Sequence, residues 1–381
     1  MVTQSFFRVN GIIQEGASGS GVLISGASNV EFINCSVRNN PGHGFYIRGQ
    51  TVTITGILIR NCKVSGNTLI GVRGGSDNWT VQIDGMIVED SEISGNGNDG
   101  LACSNCRNLT IRRNVVKGNT GEDGIDIKQL SSHVLIEQNI VSGNKQAGIM
   151  INAAHGDEFP IYGGTNVIIR QNVVSNNGAH GIRLNSKEHG GYFIIARNVI
   201  VQNPATGFDG IYLFRGDNIG IYNNTVIGGN RAFVGQCLRA SVIRNNIFVD
   251  SPNPAFHFQG SSANCTGYEN GLITEDHNNF QSTGTYIITW INGKQYTSGT
   301  LGNYRTDSQQ GTGTLSTKPL FSSTSTYDLG SNSPLIDRGV SVAGVTEAFA
   351  GAAPDLGYKE YTGGSILITP AAPTGLNTRV F

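Results

Sequence analysis

Apolar and polar residues alternate along this chain in short bursts, and the bursts recur. Glycine followed by an apolar–x–apolar phrase appears as HGFYI (Gly44), IGVRG (Gly71), DGLAC (Gly100), DGIDI (Gly124), AGIMI (Gly148), HGIRL (Gly181) and DGIYL (Gly210). Successive glycines are 27, 29, 24, 24, 33 and 29 residues apart. A second phrase keeps step, an apolar strand ending in Asn: VEFINCSV (Asn34), LIRNCKV (Asn61), LTIRRNVV (Asn114), VLIEQNIV (Asn139), VIIRQNVV (Asn172), IIARNVI (Asn198), IGIYNNTV (Asn224) and VIRNNIFV (Asn246). Period-two alternation predicts short strands, and the Gly and Asn between them predict tight bends. A unit of ~22–29 residues cannot close a core alone, so such units must stack. Segments with a 3.6-residue period are missing, which excludes leucine-rich and helical repeats.

The pattern therefore predicts an all-β right-handed parallel β-helix, a solenoid of about ten coils spanning 1–270. Beyond it, 271–361 reads as an irregular C-terminal region capping or packing on the helix, and 362–381 as a tail or linker. Asn at each strand end suits a left-handed bend, and stacked Asn side chains suit a hydrogen-bonded ladder. Alternation sends the residue after each Gly inward: Phe45, Val72, Leu101, Ile125, Ile149, Ile182 and Ile211. It sends Tyr46, Arg73, Ala102, Asp126, Met150, Arg183 and Tyr212 outward, followed by a second outward column of Arg48, Gly75, Ser104, Lys128, Asn152, Asn185 and Phe214. Together these columns predict one solvent-facing strip, its coils about 4.8 Å apart. The 33-residue coil carries an insertion, Ala153 to Gly164, expected to wall a groove beside the strip with His155 and Tyr162.

Composition agrees with many turns and few helices: 53 of 381 residues are Gly and only 14% are charged. A net charge of −1 gives no reason to expect nucleic acid or an anionic membrane as partner. No apolar run approaches the ~18 residues of a membrane span. The opening MVTQSFFRVNG lacks the basic start and apolar block of a secretory leader, and reads as a secreted or extracellular chain whose leader has been removed. Cys35 and Cys62 fall at equivalent places in consecutive repeats, as buried thiols. Cys103 and Cys106 form a lone CxxC, suited to a local disulfide rather than zinc, and Cys237 with Cys265 offers another pairing.

One part of the strip breaks the rules of a structural surface. Asp99, Glu122, Asp123 and Asp126 surround the Gly of two consecutive coils, in GNDGL and GEDGIDIK. Asp99 and Asp123 share a register, so stacking sets them roughly 5 Å apart. Like charges this close need compensation, either a hard cation such as Ca²⁺ or a retained proton. An Asp-Gly bend alone, as at Asp209, is ordinary turn chemistry.

The two-coil phrase resembles polysaccharide lyase family nine, calcium-dependent pectate lyases on a parallel β-helix. That resemblance implies calcium ligands at Asp99, Glu122, Asp123 and Asp126, and β-elimination on a uronate-containing polysaccharide by a secreted, monomeric enzyme. The chain departs from the family at the catalytic Lys, whose place is taken by Met150. Lys145, Lys128 and Arg183 are the candidates to replace it, Arg183 lying on the strip roughly 10 Å from Asp126. Asp126 is also a catalytic candidate. Tyr46, Arg73, His155, Tyr162, His180, Asn152, Asn185 and Tyr212 are candidate substrate contacts. The same letters also resemble polygalacturonase-type hydrolases, with Asp99 and Asp126 as acid and base. A third reading is a non-catalytic carbohydrate-binding or adhesive β-helix.

Overall fold

The computed structural model describes residues 1–49, 52–75, 82–152, 165–185, 191–259, 272–346 and 348–363. The chain is mostly β, 4% helical, a parallel β-solenoid of about nine turns with an irregular C-terminal region. It forms two compact units, Met1–Gly191 and Tyr192–Phe381.

In the first unit each coil contributes a strand to three parallel sheets, met in chain order as the first (such as Phe45–Arg48), the second (such as Ile57–Arg60) and the third (such as Lys63–Ser65). The first sheet carries the strip, through Phe45–Arg48, Val72–Gly74, Leu101–Cys103, Ile125–Ile127, Ile149–Asn152 and Ile182–Asn185. Its pairings reproduce the columns read from the alternation, with Arg73 opposite Ala102, Ala102 opposite Asp126, Asp126 opposite Met150 and Met150 opposite Arg183. The inward Phe45, Val72, Leu101, Ile125, Ile149 and Ile182 are all fully buried. Each such side chain is worth roughly 1.5–3 kcal/mol.

The coils turn at two corners built to one plan: a residue with positive φ, then a buried hydrogen-bonding side chain. Before the third sheet the positive-φ residues are Asn34, Asn61, Asp90, Arg113, Gln138 and Gln171. The buried side chains after them are Cys35, Cys62, Ser91, Asn114, Asn139 and Asn172. The sequence expectation was therefore off by one from Asn114 onward. Those Asn residues form the ladder, and the left-handed conformation falls on the Arg, Gln or Asn before them. Cys35 and Cys62 stand in the same ladder, where Cys62 Sγ accepts from Cys35 N at 3.4 Å, and burial pushes the Cys62 thiol up to about 12.

After the third sheet the pattern repeats as Asn40, Asn67, Asn96, Asn119, Asn144 and Asn177. Each Nδ2 of this column donates to the next Oδ1 at 2.8–3.0 Å. On the second sheet a stacked column alternates in sign, Arg60, Glu89, Arg112, Glu137 and Arg170. The buried Glu89 accepts from Arg60 and Arg112 at 2.5 and 2.6 Å.

In the second unit Phe233, Phe248, Phe256 and Phe280 stack in the core. Leu329, Leu335 and Leu356 of the irregular region pack on Val199, Ile227, Ile247 and Val249. That region lies on a flank of the strands. The single α-helix among the described residues, Leu301–Ser308, buries Tyr304, whose hydroxyl donates to the fully buried Glu275 at 2.7 Å.

Asn119→Ala removes the acceptor of Asn96 N and Nδ2 and the donor to Asn144 Oδ1. Three buried polar atoms lose a partner, so urea denaturation should show a loss of about 2–4 kcal/mol.

Candidate metal centre and catalytic strip

Asp99 and Asp123 occupy a position whose side chain accepts a hydrogen bond from the next coil's backbone on several coils, through Ser, His or Asp. Ser20 Oγ accepts from His43 N, His43 Nδ1 from Ile70 N, Asp99 Oδ1 from Asp123 N at 3.0 Å and Asp123 Oδ1 from Ala147 N at 2.7 Å. In the second unit Asp209 does the same for Arg231 N at 3.2 Å and binds the Arg231 guanidinium as well. One carboxylate oxygen of each such Asp is therefore structural. The glycine that follows is required by space: a Cβ on Gly124 would sit 2.6 Å from Gly148 O.

The second oxygen distinguishes Asp99. Asp99 is fully buried and its Oδ2 has no hydrogen-bond partner, and neither has Oδ1 of Asp126, which is 2% exposed. Asp99, Glu122 and Asp126 each offer an oxygen lying within 4.8 Å of the others. Asp123 is not in this group. Into it reaches Lys128, whose Nζ contacts Asp126 Oδ2 and lies 3.7 Å from Asp99 Oδ2. The strip is thus not solvent-facing here: Ala102, Asp126 and Met150 are all buried. Ala102 is short, and Lys128 lies against Asp126.

Burial pushes the Asp126 carboxyl up, against the opposing charges of Lys128 and of Arg73, which lies beyond Ala102 in the same column. Burial pushes the Asp99 carboxyl up to about 8, with Asp126 adding to the shift and Lys128 opposing it. Burial likewise pushes Asp123 up to about 7. For Lys128 burial lowers the pKa, but Asp126 and Asp99 outweigh it, and the ammonium is held above its ordinary range.

The remaining candidates are more dispersed. Arg183 stands in the column of Asp126, two coils on. Tyr46 pairs with Arg73, and Asn152 pairs with Asn185. His180 is buried at the register of Ala147. Lys145 is exposed on the bend before Ala147. Tyr212 belongs to the second unit, where its hydroxyl donates to Gln236 at 3.1 Å. His155 and Tyr162 lie outside the described residues. Cys103 and Cys106 form a disulfide. Cys237 is also disulfide-bonded, while Cys265 lies outside the described residues. The sequence reading missed that the Cys103–Cys106 bend supports Lys128, whose N donates to Cys103 O at 2.8 Å; the CxxC preceding GIDIK was the available signal.

A carboxyl whose pKa is raised on folding stabilises the fold at low pH, and that contribution is lost as pH rises through the folded value. In EDTA the melting temperature should therefore fall as pH climbs from about 4 through about 8. Asp99→Asn should flatten that slope; an unchanged profile for the variant would show that Asp99 does not carry it.

Two family models match the chain: right-handed beta helix region over residues 2–157, and periplasmic copper-binding protein (NosD) over 159–309. No curated protein sequence matches. The periplasmic alginate epimerase AlgG is 17% identical, with 71% of this chain and 70% of that chain covered and a TM-score of 0.52. The A-module of the Azotobacter vinelandii mannuronan C-5 epimerase AlgE6 is 16% identical, with 75% and 69% covered and a TM-score of 0.52. Pectate lyase Pel9A is 16% identical, with 87% and 80% covered and a TM-score of 0.49. The chain is a right-handed parallel β-helix.

Proposed function

We propose that this protein is an enzyme that cleaves an acidic, uronate-containing polysaccharide by β-elimination, with calcium held by Asp99, Glu122 and Asp126. The observation that carries the reading is the convergence of three carboxylates from two coils, two of them with buried oxygens lacking a hydrogen-bond partner. The donors are all oxygen, which suits a hard cation and not the imidazole and thiolate chemistry that copper favours. When bound, calcium supplies the positive charge that neutralises these acids and a substrate carboxylate.

The residues of the chain provide the rest. Arg73 and Arg183 flank Asp126 along one column, each two coils away, and Arg73 suits the carboxylate of a neighbouring uronate. Among the three basic candidates, Lys145 sits exposed on a bend. Arg183 on the strip, or Lys128 once calcium holds Asp126, would take the proton α to the uronate carboxylate. Asp99, Glu122 and Asp126 each bring an oxygen within 4.8 Å of the others, closer than the ~6.5–9.5 Å that an inverting hydrolase leaves for water, which counts against the inverting reading. The epimerase neighbours support a second outcome of the same proton removal, return of a proton to the opposite face. The Cys103–Cys106 disulfide supports an oxidising compartment and so a periplasmic or secreted location. Among the described residues no helix is long and apolar enough to cross a membrane.

The test is a panel of pectic, alginate, glycosaminoglycan and neutral glycans with and without EDTA, followed by ultraviolet absorbance, reducing ends and proton NMR. EDTA-sensitive absorbance together with new reducing ends is expected. Reducing ends without absorbance would mean hydrolysis, altered C-5 stereochemistry without cleavage would mean epimerisation, and silence would leave a binding module. Asp126→Ala should lower turnover at least about a hundredfold while leaving the fold intact, since the same column already holds Ala102 one coil earlier.

A further inference from the structure

Asp99 has one oxygen to give to a cation. Its Oδ1 is engaged by Asp123 N, which leaves Oδ2. That oxygen faces the Lys128 ammonium at 3.7 Å, and the same ammonium touches Asp126 Oδ2. A metal bound by Asp99, Glu122 and Asp126 and the head of Lys128 therefore draw on two of the same carboxylates, and on the same oxygen of Asp99.

The backbone of Lys128 is fixed on the stack. Its N donates to Cys103 O, in the coil closed by the Cys103–Cys106 disulfide, and Ile127 beside it is paired on both sides. Its side chain differs: 20% of it is exposed, and four flexible carbons carry the charge. The head has a way out of the cluster while the strand stays in place.

We propose that Lys128 is a tethered cation that fills the centre in the metal-free protein and is displaced by a divalent cation, so that it determines which ions the site accepts. This rests on the metal reading of the previous section. The physical logic is one of exchange. A monovalent ion replacing the ammonium gains no charge, and the ammonium is already bonded in place. A divalent ion adds a second unit of charge among three carboxylates, two of them buried, where the local dielectric makes it count. Lys128 thereby sets a threshold that sodium and potassium do not pass, and it holds together a coil whose acids otherwise repel one another.

The experiment is calcium titration by calorimetry, at one pH and ionic strength, on the wild-type chain, Lys128→Met and Lys128→Arg, with melting temperatures in EDTA and in saturating calcium. Lys128→Met should bind calcium about tenfold more tightly or better, the effect of removing one competing charge at this distance. It should also melt lower than wild type in EDTA, with the gap closing in calcium, and should bind sodium measurably. Lys128→Arg, which keeps the charge, should bind calcium no more tightly than wild type. Wild-type affinity unchanged or weakened in Lys128→Met would overturn the displacement while leaving the metal site standing. No calcium binding by any of the three proteins would overturn both.

Discussion

The constraint on which everything else depends is coil-to-coil registration. Parallel strands about 4.8 Å apart place each residue on its counterpart one coil away, so whatever stands at a position is repeated as a column. Apolar columns make the core, as from Phe45 to Ile182. Amide columns make ladders, as from Asn40 to Asn177, where every side chain both donates and accepts and no buried polar group is orphaned. The glycine column follows from the same closeness, because the space above Gly100 and Gly124 is filled by the next coil's backbone.

Charge is the hardest thing to stack, and the chain handles it in two ways. On the second sheet the signs alternate from Arg60 to Arg170, so each carboxylate lies between guanidinium groups. Glu89 is fully buried there and yet held below its ordinary carboxylate range: burial alone would raise it, but Arg112 and Arg60 more than compensate. On the first sheet Asp99, Glu122 and Asp126 gather with one ammonium among them, and burial raises Asp99 instead. The first arrangement is satisfied and the second is short of positive charge. That contrast within one unit marks the acid cluster as the place where a ligand of opposite sign belongs.

A single Asp-Gly bend gives no such indication. Asp209 shows why: its carboxylate is fully used by the backbone and guanidinium of Arg231. Asp123 is similar in holding Ala147 N, and its equivalence to Asp99 in the sequence concealed a difference in what the second oxygen meets. Identical letters in identical register carry different chemistry because the neighbours three and five residues beyond Asp123, Asp126 and Lys128, come from only one of the coils.

The sequence by itself determined the architecture, since strand alternation and the spacing of Gly and Asn are local properties that survive in a linear text. The inward columns and the pairing of Asp126 with Ala102 and Met150 were legible from it. It placed the left-handed residue one position late from Asn114 onward, because Asn suits both the bend and the ladder, and the letters do not separate the two roles. Only the tertiary structure decided that Asp99 turns one oxygen to the backbone and one to the cluster, that Asp126 is buried on a strip expected to face solvent, and that Lys128 lies between them. These are matters of side-chain direction and of dielectric, set by which atoms from different coils exclude water from one another, and no spacing along a single chain encodes them.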